Sequence, residues 1–150
     1  DYLGWAQAGL VHVCDGDTID LAWWHDLLED DLQHFNVKTV AIDDYNLEST
    51  RQWLEEEKCI DVVTVKTNMY TQMNLLTNRF EAMVQEQQIA HNGNEMMDWN
   101  IKSMTIRTDA NGQIKPDKKS GKIDGCIAMI VSLAAIEYIE QANDFCGVIV

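Results

Sequence analysis

Short segments rich in β-branched residues alternate with longer amphipathic segments, and this alternation constrains the fold more than any other feature of the chain. The longer segments repeat apolar residues at every third or fourth position, which is helical spacing. Strands that alternate with helices of this length predict one α/β domain with a largely parallel sheet. The predicted strands are 10–14, 37–45, 60–67 and a short one at the start of 88–93, and the predicted helices are 21–35, 46–58, 71–87 and one that begins near Ile123.

Positive charge is concentrated just before the last predicted helix. Residues 102–122 contain six cations and two acids, whereas the rest of the chain contains five cations and 23 acids, and the net charge is −14. Such an acidic protein is not expected to bind nucleic acids in general, but a locally basic segment can attract a polyanion to one place. Residues 108–122 have the composition of a polar turn and loop, and residues 94–107 fit either a helix or a strand.

Several classes of protein are not favoured by the sequence. The four cysteines are scattered without the spacing of a zinc site or of a disulfide framework, so free thiols in a cytosolic protein are expected. We predict neither a signal peptide nor an apolar run long enough to cross a bilayer. The phosphate-loop motif that ATPases use is not found in these 150 residues.

Two acids end the second predicted strand. Alternation along residues 37–45 places Asp43 on the same face as Thr39 and Ala41, whereas Asp44 falls on the other face. Open α/β sheets place their ligand sites at the carboxyl ends of the strands, which makes Asp43 a candidate site residue. The alternative is that Asp43 or Asp44 caps the helix that follows.

Asp124 occupies the first turn of the last predicted helix. Ile127 and Val131 share its helical face, which predicts a carboxylate directed toward the core. A core-facing carboxylate needs a cation or a metal ion as a partner, although an acid in a first turn is also stabilised by the helix dipole alone. Gly125 would allow another backbone or a ligand to approach closely. Two inward acids with lysines nearby suit a hard divalent cation that bridges to phosphate.

An ordered series of motifs in the C-terminal half resembles the C-terminal nuclease region of phage terminase large subunits. The series consists of a histidine, a tryptophan, a D-x-x-G turn, a lysine-containing stretch and K-I-D-G at the head of an Ala-rich helix. Residues 2–20, with their W-x-x-x-G pattern, and residues 39–46 resemble earlier segments of the same family. The matching residues are His91, Trp99, Asp109 with Gly112, Lys118, and Lys122 with Ile123, Asp124 and Gly125.

The resemblance implies a fold, an activity and a set of site residues. The fold would be an RNase H-like mixed sheet flanked by helices, with residues 1–150 forming a single nuclease domain. The activity would be that of a two-metal-type endodeoxyribonuclease, dependent on Mg²⁺ or Mn²⁺, that cuts concatemeric double-stranded DNA. Asp43 and Asp124 would be the catalytic, metal-binding carboxylates, with Asp44 as the alternative to Asp43. The DNA phosphates would lie along Lys115, Lys118, Lys119 and Lys122.

The resemblance also implies a larger setting for the chain. The family's first catalytic aspartate lies on a strand before the W-x-x-x-G segment, so the domain is expected to be partial, with its first strands upstream of Asp1. In the full-length protein, the small terminase subunit and the portal are the expected partners besides DNA, in the cytoplasm of a bacterial host and without a membrane. The alternative is an incomplete module that only docks DNA or another packaging protein.

Overall fold

The computed structural model describes residues 2–14, 16–18, 20–45 and 47–146, and gives only the backbone for 143–146. Two of the helices are joined end to end, since the α-helix Glu48–Gln52 continues directly into a π-helical turn at Trp53–Glu57. In chain order the elements are α1 (Tyr2–Gln7), α2 (Leu21–His34), β1 (Thr39–Asp43), α3 (Glu48–Gln52), β2 (Asp61–Val65), α4 (Tyr70–Gln85), α5 (Glu95–Ser103), β3 (Met104–Thr108), β4 (Ile114–Lys118) and α6 (Asp124–Cys146).

The strands of the described residues form two pairs. β1 and β2 are parallel, with Thr39 opposite Asp61 and Asp43 opposite Val65. β3 and β4 form an antiparallel hairpin in which Met104 lies opposite Lys118. The helical connection between β1 and β2 is what a parallel pair requires, so the predicted βαβ arrangement is confirmed at this point of the chain.

α6 and α4 enclose the core together with the β1–β2 pair. Most of the core side chains come from the middle of α6 and from the inward face of α4, and Ala41 of β1 packs against them. Their burial provides most of the driving force for the fold, at roughly 25 cal/mol per Å² of apolar surface. The buried cluster consists of Val65, Met73, Leu76, Phe80, Ile130, Val131 and Leu133.

Residues 108–122 are not the loop that their composition predicts, because they contain the turn and second strand of the β3–β4 hairpin. The Asp109 carboxylate closes the turn by accepting hydrogen bonds from the backbone N–H groups of Asn111 (2.9 Å) and Gln113 (2.8 Å). Gly112 has a φ of +80°, which glycine adopts without strain. The D-x-x-G motif therefore has a structural role, since its aspartate and glycine build a hairpin turn.

Two predicted strands are absent from the described residues. Residues 10–14 are irregular, and residues 88–90 lead without regular structure into a turn at 92–93. Neither segment pairs with another strand among the described residues. β-branched composition alone does not form a strand, because the backbone needs a partner to complete its hydrogen bonds.

The prediction that no segment could cross a bilayer was wrong by the criterion of length and composition. The first 19 residues of α6, Asp124–Ala142, are long and apolar enough to do so. However, Ile130, Val131 and Leu133 of this helix are buried against α4 and the β1–β2 pair. The core helix of a globular domain has the same length and composition, so the buried part of α6 accounts for its apolar residues without a membrane.

Candidate functional site

Asp43 lies at the carboxyl end of β1, as its position in the sequence predicts. Its side chain is half-buried, and its Oδ2 accepts a hydrogen bond from the Thr67 hydroxyl at 2.7 Å. Thr67 follows β2, whose last residue, Val65, lies opposite Asp43 in the parallel register. The two strands therefore end side by side, and the turn after β2 brings a hydroxyl donor to the carboxylate that ends β1.

Asp44 has a different environment. It is exposed, its backbone N–H donates to the Val65 carbonyl at 3.0 Å, and its carboxylate lies 4.0 Å from the Lys66 ammonium. The next helix, α3, has Leu47 at its N-cap position and no side-chain capping hydrogen bond. The alternative that Asp43 or Asp44 caps this helix is therefore contradicted.

Asp124 begins α6, but it does not face the core. Its side chain is exposed, as is Ala128 one turn later, whereas Val131 and Ala135 on the same face are buried. The predicted core-facing carboxylate was therefore wrong, because Asp124 and Ala128 lie beside a cavity, whereas Cys126 on another side of the same turn is fully buried. Being exposed, Asp124 needs no partner to offset a desolvation cost.

One cavity nevertheless joins the two carboxylates. It has a volume of about 420 Å³, and its walls are mostly apolar side chains from α2, β1, α3 and α6. Asp43 and Asp124 both line it, whereas Asp44 does not. Among the described residues neither Asp43 nor Asp124 has an ion pair with a lysine or an arginine.

A second cavity, of about 510 Å³, adjoins the first at Asp43. It is lined by Asp43 through Tyr45 at the end of β1 and by Lys66 through Met69 in the turn after β2. Asp43 lines both cavities and is the one residue that these two cavities share. Asp43 consequently borders both the cavity that Asp124 lines and the cavity beside the turn.

Asn100 of α5 fixes the start of α6, and sequence analysis missed this residue. Its side-chain oxygen accepts a hydrogen bond from the backbone N–H of Gly125 at 3.0 Å, and its amide donates to the Met96 carbonyl at 2.9 Å. A Cβ at Gly125 would lie 2.8 Å from the sulfur of Met97. The glycine of K-I-D-G thus permits the close approach of α5, and Asn100 satisfies one of the N–H groups that a helix start leaves unpaired.

The loop before Asp124 rests on an aromatic cluster. Gly121 has a φ of +72°, and a Cβ at this position would lie 2.4 Å from Cζ2 of Trp99. The Trp99 ring in turn packs against the rings of Trp5 (5.3 Å between centroids) and Tyr2 (6.0 Å). The tryptophans of the N-terminal segment and of α5 are therefore structural residues that support the segment 119–123.

The four lysines predicted to bind DNA fall into two groups. Lys118, Lys119 and Lys122 are exposed in or just after β4, within six residues of Asp124. Lys115 is half-buried, and its ammonium donates to the Asn68 carbonyl at 3.1 Å and lies 5.0 Å from the centroid of the Tyr70 ring. Lys115 thus connects the hairpin to the turn that carries Thr67, whereas the other three ammonium groups face solvent.

The carboxylates of Asp43 and Asp124 are suitable ligands for a hard cation, but they are only two. Carboxylate oxygens are the ligands that Mg²⁺ and Mn²⁺ prefer, and Asp43 and Asp124 provide such oxygens on one cavity. In the part of the chain that the structure describes, no group of three or more His, Cys, Asp or Glu side chains is arranged to hold a metal ion. His91, which the motif series includes, lies 3.7 Å from Asp98 and does not line the cavity of the two carboxylates.

Comparisons with known proteins identify the family and the fold. The sequence profile of the family described as "Terminase large subunit, endonuclease domain" matches residues 1–140. Protein YmfN of Escherichia coli (strain K12) is 27% identical over 146 residues, which are 93% of this chain and 31% of that protein. The crystal structure of the HK97 bacteriophage large terminase superposes with a TM-score of 0.79 at 20% identity, over 89% of this chain and 28% of that one. The fold is therefore RNase H-like, as expected, and the chain spans about a third of the length of these relatives.

Proposed function

The chain belongs to the family of terminase large subunit endonuclease domains, and on this premise we propose that it cuts concatemeric double-stranded DNA in a reaction that depends on Mg²⁺ or Mn²⁺. Membership of the family implies a nuclease. The metal dependence, the DNA substrate and the residues that act are our proposal. The observation that carries it is the single cavity lined by both Asp43 and Asp124.

Asp43 and Asp124 are the proposed metal ligands. A divalent ion held between them would supply an activated water and stabilise the leaving oxygen of a phosphodiester. Asp43 is favoured over Asp44, because Asp44 lies beside Lys66 and outside the cavity that Asp124 lines. Asp124 retains a charge free for a metal ion, since no cation pairs with it among the described residues.

Two carboxylates leave most of the coordination sphere of such an ion to other ligands. Mg²⁺ takes about six oxygen ligands, commonly one or two carboxylates with water and substrate phosphate. The family resemblance adds a further aspartate on a strand that precedes the W-x-x-x-G segment. The complete site in the intact protein would then comprise Asp43, Asp124 and this upstream carboxylate.

The exposed lysines would bind the DNA backbone. Lys118, Lys119 and Lys122 precede Asp124 directly, so a phosphate chain that they hold would pass beside the carboxylates. Lys115 has two N–H donors left after its bond to Asn68, and one of these could reach a phosphate. The strongly acidic remainder of the chain would repel DNA and confine it to this surface.

The biological setting follows from the family. The protein would act during DNA packaging in the bacterial cytoplasm, with the small terminase subunit and the portal as partners of the full-length chain. A second candidate is a module that docks DNA or a packaging protein without cutting. The observation that favours this candidate is the lack of a third metal-binding side chain among the described residues.

A plasmid-cleavage assay on the intact protein that carries this chain tests the proposal. We expect nicked and linear plasmid with Mn²⁺ or Mg²⁺, and intact plasmid with EDTA. Asp43→Asn and Asp124→Asn should each abolish cleavage while DNA binding is retained, because they remove the ligand charge but preserve the shape of the side chain. Asp44→Asn is the matched control and should cut like the wild type. Cleavage by both ligand variants at the wild-type rate would contradict the proposal.

A further inference from the structure

Asp43 is held by a single side-chain donor among the described residues, and that donor comes from a different element. The Thr67 hydroxyl donates to Oδ2 of Asp43 at 2.7 Å, which is within the range of a charge-assisted bond from a hydroxyl to a carboxylate. No hydrogen bond involves Oδ1 of Asp43 in the described part of the structure. One carboxylate oxygen is therefore fixed and the other is available to a ligand.

We propose that Thr67 is a positioning residue, whose hydroxyl orients the Asp43 carboxylate for metal binding. This inference rests on the proposed function, because it takes Asp43 as a metal ligand. A carboxylate at the end of a strand can rotate about its last side-chain bond over a broad range. A charge-assisted hydrogen bond to Oδ2 restricts this rotation and keeps Oδ1 free.

The turn that carries Thr67 is itself well fixed. Its backbone is closed by a hydrogen bond from the Met69 N–H to the Lys66 carbonyl at 2.9 Å. The Lys66 N–H donates to the side chain of Gln72 in α4 at 2.6 Å, which joins the turn to the following helix. Thr67 is half-buried between these bonds, so its hydroxyl has a defined place relative to β1.

A third contact links this turn to the basic hairpin. The ammonium of Lys115 donates to the Asn68 carbonyl, next to Thr67, and lies over the ring of Tyr70 at the start of α4. The turn is thus fixed by contacts with α4 and β4. Because the turn is fixed, the Thr67 hydroxyl is held in place beside Asp43 and restrains its carboxylate. Rigid support from outside the ligand set is what a metal-binding carboxylate needs, because loss of such an outer partner typically lowers metal affinity or activity about 10–100-fold.

The test compares three variants of the intact protein. Thr67→Val removes the hydroxyl but keeps the shape of the side chain, and Thr67→Ser keeps the hydroxyl. Thr64→Val is the matched control, because Thr64 lies on the exposed side of β2 and does not line the cavities at Asp43. For each variant, plasmid cleavage is measured against Mn²⁺ concentration, Mn²⁺ affinity is measured by electron paramagnetic resonance, and stability by thermal unfolding.

We expect Thr67→Val to need about 10–100-fold more Mn²⁺ for half-maximal cleavage and to bind Mn²⁺ correspondingly more weakly. Thr67→Ser and Thr64→Val should match the wild type in both measurements, and all variants should unfold close to the wild-type temperature. A purely structural role would lower activity at every Mn²⁺ concentration together with the unfolding temperature, and serine would not restore it. That result would overturn the inference.

The failure of this inference differs from the failure of the proposed function. If Thr67→Val has the wild-type dependence on Mn²⁺ while Asp43→Asn is inactive, Thr67 does not position the carboxylate and the proposed function stands. If Asp43→Asn itself cleaves DNA and binds Mn²⁺ like the wild type, Asp43 is not a ligand. The proposed site and the role of Thr67 then both fail.

Discussion

Gly121→Ala should destabilise the fold more than a glycine-to-alanine change in any other turn that the structure describes. Gly121 has a positive φ of +72°, and alanine in this left-handed region costs about 1–2 kcal/mol. The new Cβ would also lie 2.4 Å from Cζ2 and 3.0 Å from Cη2 of Trp99. The indole is rigid and packs against Trp5 and Tyr2, so the contact is relieved only by moving the cluster, at an overpacking cost of about 1–3 kcal/mol. The two terms together predict a loss of about 2–5 kcal/mol.

Gly112→Ala is the matched control for this prediction. Gly112 has a similar φ of +80°, but a Cβ there would have no atom within 4 Å. Both substitutions reduce the entropy of the unfolded chain equally, so the difference between them isolates the contact with Trp99. Urea unfolding followed by circular dichroism should show Gly121→Ala to be less stable than Gly112→Ala by about 1–3 kcal/mol. Equal stability of the two variants would refute the idea that Trp99 fixes the loop before Asp124.

Three further predictions concern other parts of the molecule. Asn100→Ala should lower the free energy of unfolding by about 1–3 kcal/mol, because the N–H of Gly125 loses its acceptor. Urea titration measures this loss, and an unchanged midpoint of unfolding would count against the role of Asn100. Lys118→Ala and Lys122→Ala should each weaken the salt dependence of DNA binding. The slope of log affinity against log salt concentration, measured by fluorescence anisotropy, should decrease in magnitude by about one. A slope like that of the wild type would exclude contact of that lysine with phosphate. Burial raises the pKa of the Cys126 thiol. At pH 8 a thiol reagent should therefore label exposed Cys59 first and Cys126 only on unfolding, which peptide mass spectrometry can measure. Equal labelling rates would contradict the packing of α6.

The sequence predicted the elements that depend on local periodicity. Apolar residues at helical spacing located α2, α4 and α6, and the βαβ pattern gave the parallel pairing of β1 and β2. The strand pattern also placed Asp43 at the carboxyl end of β1, where the structure has it. These predictions succeed because side-chain periodicity and burial are directly linked in regular elements.

Features that depend on distant contacts were missed. The hairpin at 104–118 was taken in part for a loop, because three of the five residues of β4 are charged and its turn relies on the Asp109 side chain. The side chain of Asn100 accepts a hydrogen bond from the backbone N–H of Gly125, which lies 25 residues later. No local sequence pattern could reveal this contact. The direction of Asp124 was mistaken, because helical spacing gives the face of a residue but not whether that face is packed or lies beside a cavity.

The positions of the ligands around a bound ion test the central claim most directly. The measurement is a crystal structure of the intact protein with Mn²⁺, in which anomalous scattering locates the ion without assumptions about its ligands. We predict a Mn²⁺ ion with one oxygen of Asp43 and one oxygen of Asp124 each at about 2.1 Å, or a pair of ions that the two carboxylates share. A Mn²⁺ ion bound elsewhere, or bound by Asp44 in place of Asp43, would contradict the proposed site.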